Sequence, residues 1–465
     1  MRQITIIGAG LVGSLWAYLL KKQNYDVTVF EKRQNPKDLH MQAGRSINLI
    51  LTSRGLHGLE IAGLTKKILP LTTPVYGRGI HQKSGEKLFQ PYGRNKTECN
   101  YSVSRWELNK ALITECQNIG VKFNFEENLD AINLDSKHLT FSKNNQNHNI
   151  NYDLLFATDG AGSVIRKALA SKDPQTYQER TDWLDSGYKE LFMPKNSEMA
   201  KNELHIWARG THMMMGLENI DSSYTMTLYL PHKNHEFSFE KIKTETDVKN
   251  MFESEFKSAV PFMPNYIKDF MENPVGQLGT VRLSNWAYKD EIALMGDASH
   301  AIVPFFGQGM NSGFEDCTTL FKLLEKQKGS HFDEPNWDDI LKSYNNTQRP
   351  NANAIADMAL ENFVEMRDKV ADPQFQFKKK VESIIENEFP QWYRSRYGMI
   401  TYTLIPYRVA QEAGLKQNQI LEILSSGIDD PKNVDLMKAR KLLENEFYPW
   451  LNAQGFTTDR YLVQG

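Results

Sequence analysis

The stretch ITIIGAGLVGSLWAYLLKK, from Ile4 to Lys22, decides the fold. Its first four residues, Ile-Thr-Ile-Ile, predict a buried strand, and the uncharged run that continues to Leu20 predicts a helix. Between them Gly8, Gly10 and Gly13 have the GxGxxG spacing, which permits a tight turn and a close approach of a pyrophosphate to the helix N-terminus. We therefore expect a Rossmann-like dinucleotide site here.

A second strand-like segment narrows the choice of dinucleotide. Residues 27–30, sequence VTVF, are strand-like and are followed by Glu31, whose carboxylate is expected to accept hydrogen bonds from ribose hydroxyls. An acid at this place disfavours a ribose 2′-phosphate, so the site suits FAD or NAD and not NADP. Leu11 and Val12 begin the helix and are expected beside the same ligand. A chance glycine turn would explain none of the surrounding pattern.

A motif far along the chain favours FAD. Gly296 and Asp297 follow the apolar segment 292–295, and a carboxylate there can bond ribityl hydroxyls. A glycine-rich turn then precedes a helix whose N-terminus would stabilise negative charge on a reduced flavin. An N-capped helix after a buried strand explains the local pattern equally well, but not the glycines. The residues of the turn assigned to the cofactor are Pro304, Gly307, Gly309, Met310 and Asn311.

Composition limits the other classes of function. The 465 residues, about three times a usual domain, are 40% apolar and 24% charged with a net charge of -2, so we expect no nucleic-acid partner. The cysteines, Cys99, Cys116 and Cys317, are too few and scattered for a disulfide framework or a zinc site, and no metal site is expected. A reducing, cytoplasmic location is the simplest interpretation.

No segment of the sequence predicts a membrane anchor. The N-terminal apolar run contains the glycine motif and leads directly into another strand, unlike a signal peptide. No other uncharged run approaches the roughly 20 residues of a spanning helix. Residues 434–451 have apolar side chains at helical spacing and predict an amphipathic surface helix.

A third motif completes a pattern in chain order. Asp159–Arg166, sequence DGAGSVIR, follows an apolar segment, and both end residues are expected to serve the cofactor. With GxGxxG before it and GDASH after it, residues 1 to about 370 resemble the group A flavoprotein monooxygenases, such as para-hydroxybenzoate hydroxylase. The resemblance implies FAD held by all three motifs and NADPH bound without a second Rossmann domain. Arg105 matches the FAD-contacting arginine of that group; its alternative role is an exposed charge at a helix start.

The expected fold class is α/β. A Rossmann-like FAD-binding domain carries an inserted antiparallel β-sheet domain for substrate and a helical C-terminal portion. The segment 224–230 shows the alternation of such a sheet, with Met226, Leu228 and Leu230 on one face. The predicted FAD-binding domain comprises residues 1–70, 99–175 and 280–370, the substrate domain 71–98 and 176–279, and the helical region 371–465.

Within that group, four local patterns resemble the kynurenine 3-monooxygenases. They are residues 44–49 (GRSINL), Arg78 with Pro91–Tyr92, residues 205–210 (HIWARG) and residues 361–367 (ENFVEMR). Ala208 departs from them, because proline is expected there. The resemblance implies that one set holds the amino-acid end of kynurenine: Arg78, Tyr92, Asn362 and Tyr397. It places Arg45 at the cofactor and Tyr229, Phe305 and Met366 around the aromatic ring.

A guanidinium with phenol and amide donors suits a carboxylate. Each residue alone also fits a surface charge or ordinary packing.

The implied activity is hydroxylation of L-kynurenine at ring carbon 3, using FAD, NADPH and O2, in tryptophan breakdown. The aniline nitrogen already donates electrons to the ring, so no catalytic side chain is assigned, and His300 is interpreted as structural. A hydroxylase of another aromatic acid and a non-catalytic FAD-binding protein remain alternatives, while the absence of a WxW pair disfavours a flavin halogenase. A monomer or homodimer is expected.

Overall fold

The computed structural model describes residues 2–38, 48–195, 198–328, 335–369 and 372–459. The strands are β1 Ile4–Ile7, β2 Val27–Glu31, β3 Asn48–Leu51, β4 Thr72–Val75, β5 Gly77–His81, β6 Lys87–Pro91, β7 Asn100–Ser104, β8 Lys122–Phe125, β9 Asn128–Asn133, β10 His138–Lys143, β11 Gln146–Asn151, β12 Leu154–Ala157, β13 Glu179–Met193, β14 Glu203–Ala208, β15 Met213–Glu218, β16 Tyr224–Pro231, β17 Gly276–Leu283, β18 Ala287–Tyr288 and β19 Ile292–Leu294. The α-helices are α1 Leu11–Lys22, α2 Ser53–Ala62, α3 Thr65–Ile68, α4 Arg105–Asn118, α5 Val164–Lys172, α6 Glu245–Glu255, α7 Tyr266–Glu272, α8 Asp297–His300, α9 Gly309–Lys328, α10 Trp337–Val364, α11 Pro373–Glu388, α12 Arg396–Tyr402, α13 Tyr407–Ser425, α14 Leu436–Leu442 and α15 Tyr448–Ala453.

A mainly parallel sheet contains the N-terminal motif. In the described chain its strand order is β18-β19-β12-β1-β2-β8, and β1 pairs in parallel with both β2 and β12. Every residue of β1, β2 and β12 is buried, as expected for a parallel sheet covered on both faces. Helix α1 packs against α4 and α9. This arrangement is the Rossmann-like α/β fold that the sequence predicts.

A small antiparallel sheet of β9, β10 and β11 packs near the parallel sheet. Phe30 of β2 stacks on Phe141 of β10, with 4.6 Å between ring centroids. The connection from β10 to β11 is a two-residue turn at Asn144 and Asn145, whose φ angles are 49° and 62°. Asparagine tolerates this left-handed backbone better than most residues, which favours the tight hairpin.

The larger sheet has the order β17-β13-β16-β15-β14-β5-β6 in the described residues, and all its pairs are antiparallel except β14 with β5. Its two faces pack against different cores. Met226, Leu228 and Leu230 of β16 join one core with residues of α6 and α7, whereas Tyr229 belongs to the core on the opposite face. The predicted alternation along this strand is therefore confirmed.

The C-terminal helices complete the core on the Tyr229 side of that sheet. The predicted amphipathic helix over residues 434–451 is divided: α14 leads into π-helical turns at Leu443–Phe447, and α15 follows. Leu443 and Phe447 are fully buried, whereas Met437 is 78% exposed. The wider π-helical turns change the helical register, so residues of one predicted face point in different directions.

The division into domains stays a prediction. None of the helices in the described ranges is long and apolar enough to cross a membrane. The three cysteines are free, and the same ranges contain no cluster of side chains suited to a metal ion.

Candidate active site

The turn after β1 leaves an open position at the start of α1. Gly8 has a φ of 100°, and a Cβ on it would lie 2.5 Å from the Thr158 carbonyl oxygen. A Cβ on Gly13 would lie 2.1 Å from the Gly8 oxygen, so this glycine permits the close packing of helix on turn. A Cβ on Gly10 would meet no heavy atom within 4 Å. Gly10 therefore borders free space at a helix N-terminus, where an anion is favoured.

Glu31 lies at the end of β2, beside this turn. Its carboxylate accepts hydrogen bonds from the backbone N–H of Ala9 at 2.7 Å and of Arg33 at 2.9 Å. The side chain therefore holds the glycine turn in place, and only 8% of the residue is exposed. Its expected contact with ribose hydroxyls remains a prediction.

The three sequence motifs meet around α1. The Thr158 hydroxyl oxygen lies 2.8 Å from the carbonyl oxygens of both Ile7 and Gly8, which share its one proton, and so joins the middle motif to the first. Val12 packs against Gly296, where a Cβ would lie 2.9 Å from the valine Cγ2. The sequence interpretation missed Thr158, although a threonine directly before the DG pair at a strand end was a usable signal.

The middle motif contains an unpartnered acceptor. The Asp159 Oδ2 accepts from the Val164 N–H at 2.8 Å, whereas its Oδ1 is buried without a hydrogen-bond partner. Burial raises the pKa of Asp159, opposed by hydrogen bonds from Ser163 and Val164. A buried acceptor without a donor is costly. A ligand hydroxyl or N–H would satisfy it.

Arg166 joins the middle motif to the motif at Gly296. Its guanidinium donates to the carbonyl oxygens of Ala161 and Ala298 and pairs with Glu179 at 2.9 Å. The residue is 2% exposed, and each guanidinium nitrogen has a partner within the chain. Arg166 therefore positions the two loops, and its contact with the cofactor stays a prediction.

The Gly296 motif rests on a buried ion pair. Asp316 accepts from the Gly296 N–H at 2.7 Å and contacts His300 Nε2 at 2.7 Å. Burial would lower the pKa of His300, but the charge and hydrogen bond of Asp316 outweigh it and raise the pKa. His300 also stacks on Trp286, in agreement with a structural role. Asp297 is exposed at the start of α8.

The glycine-rich turn after Pro304 is fixed by the Asn311 amide. Asn311 Oδ1 accepts from the Thr52 N–H at 2.9 Å, and Nδ2 donates to the oxygens of Ile50 at 2.7 Å and Gly307 at 2.9 Å. The side chain is therefore used within the protein, which leaves the backbone around Gly309 and Met310 for a ligand. Gly307 has a φ of 66°, the left-handed conformation that glycine adopts readily.

Of the two remaining arginines predicted to contact the cofactor, Arg105 and Arg45, the structure describes only Arg105. Arg105 is exposed at the start of α4, and Asn109 of the same helix donates to the Ala9 oxygen at 3.1 Å. Helix α4 is thereby held beside the glycine turn. Arg45 lies outside the described residues.

These features fit FAD. The space at Gly10 suits a pyrophosphate, the unpartnered Asp159 oxygen suits a hydroxyl, and the N-terminus of α9 suits the flavin edge that carries charge when reduced.

A cavity of about 450 Å³ lies between the edge hairpin β5–β6 and helices α11 and α12. This volume is within the range of small-molecule sites. Its lining includes four residues that are distant in sequence, which the sequence analysis assigned to substrate: Arg78, Tyr92, Asn362 and Tyr397. The fold therefore brings all four together.

Aromatic rings hold Arg78 at one wall of this cavity. The rings of Tyr92 and Tyr397 stack with centroids 5.2 Å apart, and the Arg78 Cζ lies 5.4 Å and 5.9 Å from those centroids. The ring of Phe306 also stacks with that of Tyr397, with centroids 5.8 Å apart. Arg78 is 8% exposed, and its Nε has no hydrogen-bond partner. A buried cation with an unused donor is suited to an anionic ligand.

The predicted ring-packing residues lie behind this wall. The Asn362 Nδ2 donates to the Phe305 carbonyl oxygen at 2.7 Å and approaches the Met366 sulfur at 3.4 Å. Phe305 stacks on Phe363 at 4.2 Å and lies 5.1 Å from the Tyr229 ring. Phe305, Met366 and Tyr229 are thus one apolar cluster, but they are not among the cavity's lining residues.

The acids of the cavity, Glu365, Glu382 and Glu386, were not predicted from the sequence. Glu365 begins the π-helical turns at Glu365–Lys369 that follow α10, and it lines the cavity with Arg78. Burial would lower the pKa of Arg78, but the nearby Tyr92, Tyr397 and Glu365 outweigh it and raise the pKa. The signal was present, because Glu365 lies within the stretch at residues 361–367 that carried the resemblance.

Comparisons with known proteins agree with these features. The family described as "FAD binding domain" matches residues 1–359. A kynurenine 3-monooxygenase of Myxococcus xanthus is 37% identical, with 98% of each chain covered. One from Dictyostelium discoideum is 39% identical, with 95% of this chain and 98% of the relative covered.

Solved structures show the same fold at low sequence identity. The tetrameric form of 2-methyl-3-hydroxypyridine-5-carboxylic acid oxygenase has a TM-score of 0.64 at 17% identity, covering 84% of this chain and 98% of that one. PqsL of P. aeruginosa, in complex with 2-aminobenzoylacetate, has a TM-score of 0.63 at 17% identity, covering 79% and 97%. The fold, the cofactor motifs and the full-length relatives together show that this chain belongs to the kynurenine 3-monooxygenase family.

Proposed function

We propose that this chain is an FAD-dependent monooxygenase that converts L-kynurenine into 3-hydroxykynurenine. The reaction consumes NADPH, a proton and O2, and releases NADP+ and water. The observation that supports this substrate is the convergence of Arg78, Tyr92, Asn362 and Tyr397 on one cavity in a member of this family. The kynurenine pathway of tryptophan breakdown is the corresponding metabolic role.

The carboxylate of the substrate is assigned to the Arg78 wall. The Arg78 guanidinium lies 5.4 Å from the centroid of the Tyr92 ring, and because a guanidinium only donates, it leaves the Tyr92 hydroxyl proton available. Burial raises the pKa of Tyr92 and of Tyr397, so both phenols keep their protons at neutral pH. The wall therefore offers a guanidinium N–H and two phenolic O–H donors, which is the chemistry that binds a carboxylate.

The ammonium group of the substrate is assigned to Glu365. Its carboxylate lines the same cavity, opposite in charge to Arg78. The Asn362 Oδ1 is an acceptor and complements it, because the Nδ2 of that amide is already bonded to Phe305. An α-amino acid carries its ammonium and carboxylate groups on one carbon, so the pair formed by Glu365 and the nearby Arg78 matches its head group.

The bound FAD supplies the electron transfer and the activation of oxygen. The chain orients the substrate through its head group, and the aromatic ring of Phe306 lines the cavity and helps to exclude water. No side chain is assigned as a base, because the aniline nitrogen already makes the neighbouring ring carbon electron-rich.

The test is NADPH oxidation by the purified, FAD-loaded protein in air, with and without L-kynurenine, and mass spectrometry of the product. Oxidation stimulated by kynurenine, with a product one oxygen heavier at ring position 3, is the expected result. Stimulated oxidation that yields only peroxide would make kynurenine an effector. No stimulation would direct the search to other aromatic acids, and no NADPH oxidation with any of them would indicate a non-catalytic flavoprotein.

We further propose that the protein is cytoplasmic and a monomer or homodimer. Its three free thiols suit a reducing compartment. Cell fractionation tests the location, and light scattering of the holoprotein tests the oligomeric state.

A further inference from the structure

We propose that Asn100 is a positioning residue that directs the Tyr397 hydroxyl proton toward the substrate carboxylate. Asn100 is the first residue of β7, which pairs with β4 and lies outside the sequence motifs already described. Its Nδ2 donates a hydrogen bond of 2.9 Å to the Tyr397 hydroxyl oxygen. This inference rests on the proposed binding of a carboxylate at Arg78.

The direction of this hydrogen bond decides what Tyr397 can offer a ligand. A phenol has one proton to donate, and its oxygen can also accept. Because the oxygen accepts from Asn100, the proton is left for another acceptor. Asn100 is 3% exposed, so water does not compete freely for this bond.

The position of the Tyr397 ring is fixed independently of this bond. The ring stacks with Tyr92 at 5.2 Å and with Phe306 at 5.8 Å. Asn100 is therefore not needed to hold the ring, and its effect is on the proton. Thr401 lies close to the Tyr397 hydroxyl, one turn further along α12, but its Oγ1 has no hydrogen-bond partner.

Tyr92 and Tyr397 thus both keep their hydroxyl protons available, although their neighbours differ. Arg78 beside Tyr92 has only donors and Asn100 donates to the Tyr397 oxygen, so both phenolic protons are free for one anion. An acceptor at position 100 would reverse this for Tyr397. The phenol would then donate to residue 100 and turn a lone pair toward the substrate.

The experiment compares Asn100→Asp and Asn100→Leu in the FAD-loaded protein without NADPH. Flavin absorbance changes report the Kd of L-kynurenine and of kynuramine, the analogue that lacks the carboxylate. We expect Asn100→Asp to weaken kynurenine roughly 10- to 100-fold, the effect of losing one hydrogen bond to a charged group. Asn100→Leu should weaken it less, because it removes the donor without adding an acceptor. Kynuramine affinity should change by less than about twofold in both, since only hydrogen bonds to a carboxylate are lost.

Asn147→Asp, on the exposed hairpin strand β11, is the matched control for an added carboxylate, and FAD content and melting temperature report folding. Equal losses for kynurenine and kynuramine would show a merely structural role and overturn the proposal. A loss in Thr401→Val as large as in Asn100→Asp would assign the proton to Thr401 instead. Unchanged kynurenine binding in both Asn100 variants, with loss in Arg78→Ala, would refute the role of Asn100 alone. No loss in Arg78→Ala either would refute the proposed carboxylate site.

Discussion

Alanine at Gly13 should destabilise the FAD-free protein, whereas alanine at Gly10 should not, although both glycines belong to one motif and both changes should weaken FAD binding. Gly10 has φ and ψ of -68° and -177°, a conformation that alanine adopts, and its Cβ would enter open space. Because Gly10 directly precedes α1, its substitution by alanine should lower the free energy of unfolding by at most about 1 kcal/mol. The FAD-free protein should therefore unfold almost as the wild type does.

The methyl group of Gly10→Ala occupies the space assigned to the pyrophosphate. If it displaces that group from one or two backbone N–H donors, the loss is about 3 kcal/mol, or roughly a 100-fold weaker FAD affinity. Gly13→Ala differs, because its Cβ would lie 2.1 Å from the Gly8 oxygen and 2.4 Å from the Thr158 hydroxyl. Helix and turn must separate, at about 1–3 kcal/mol or more. The better helix propensity of alanine offsets about 1 kcal/mol of this.

Two measurements on each variant separate these effects. Urea unfolding of the FAD-free protein should show a loss in free energy of unfolding for Gly13→Ala and little for Gly10→Ala. Titration with FAD, followed by flavin fluorescence, should show weakened binding in both. FAD affinity of Gly10→Ala within twofold of the wild type would refute the pyrophosphate position. Unchanged stability of FAD-free Gly13→Ala would refute the packing role.

Further predictions concern the cavity and a buried histidine. Arg78→Lys keeps the charge but loses the planar fork, and should weaken L-kynurenine about 10- to 100-fold in equilibrium titrations while FAD stays bound; an unchanged Kd would remove the carboxylate site. Glu365→Gln should weaken L-kynurenine about tenfold but leave the analogue without the α-amino group unaffected, and equal effects on both would contradict an ammonium site. Burial, with His205 and two cations nearby, lowers the pKa of His81 to about 3, so below pH 6.5 the unfolded state binds a proton that the folded state does not. The free energy of unfolding should therefore decrease as the pH is lowered, and His81 should account for about 2 kcal/mol of the decrease between pH 6.5 and 5. Urea unfolding of His81→Phe should show a correspondingly smaller fall, and an identical pH dependence would contradict the neutral, buried state.

The cofactor region was largely predictable because its pattern is local. A GxGxxG pattern between an apolar strand and a helix predicts the backbone geometry of the turn directly. The structure adds the close contacts of Gly8 and Gly13. Side-chain roles within the motifs were less predictable. Arg166 and the Asn311 amide form hydrogen bonds within the protein, to Ala298 and Thr52. These partners come from remote segments of the chain, so the local sequence does not reveal them.

The cavity shows the same limit. Family resemblance selected Arg78 and Tyr397, but no property of either local sequence places one beside the other. Glu365 and Asn100 were missed because a carboxylate or an amide is common in any polar stretch, and only a neighbour gives it a function. For Asn100 that neighbour is the hydroxyl of Tyr397, 297 positions away.

The sequence by itself determined the parallel sheet with its glycine turn, the alternating strand β16 and the class of cofactor, since these depend on periodicity and on the special backbone of glycine. Tertiary structure alone decided which donors face one another, which aspartate oxygen stays unpartnered and which charges share a cavity. Those properties depend on distances between segments that the chain brings together only on folding. Burial then strengthens the electrostatic interactions between these groups and makes each unpaired polar group costly.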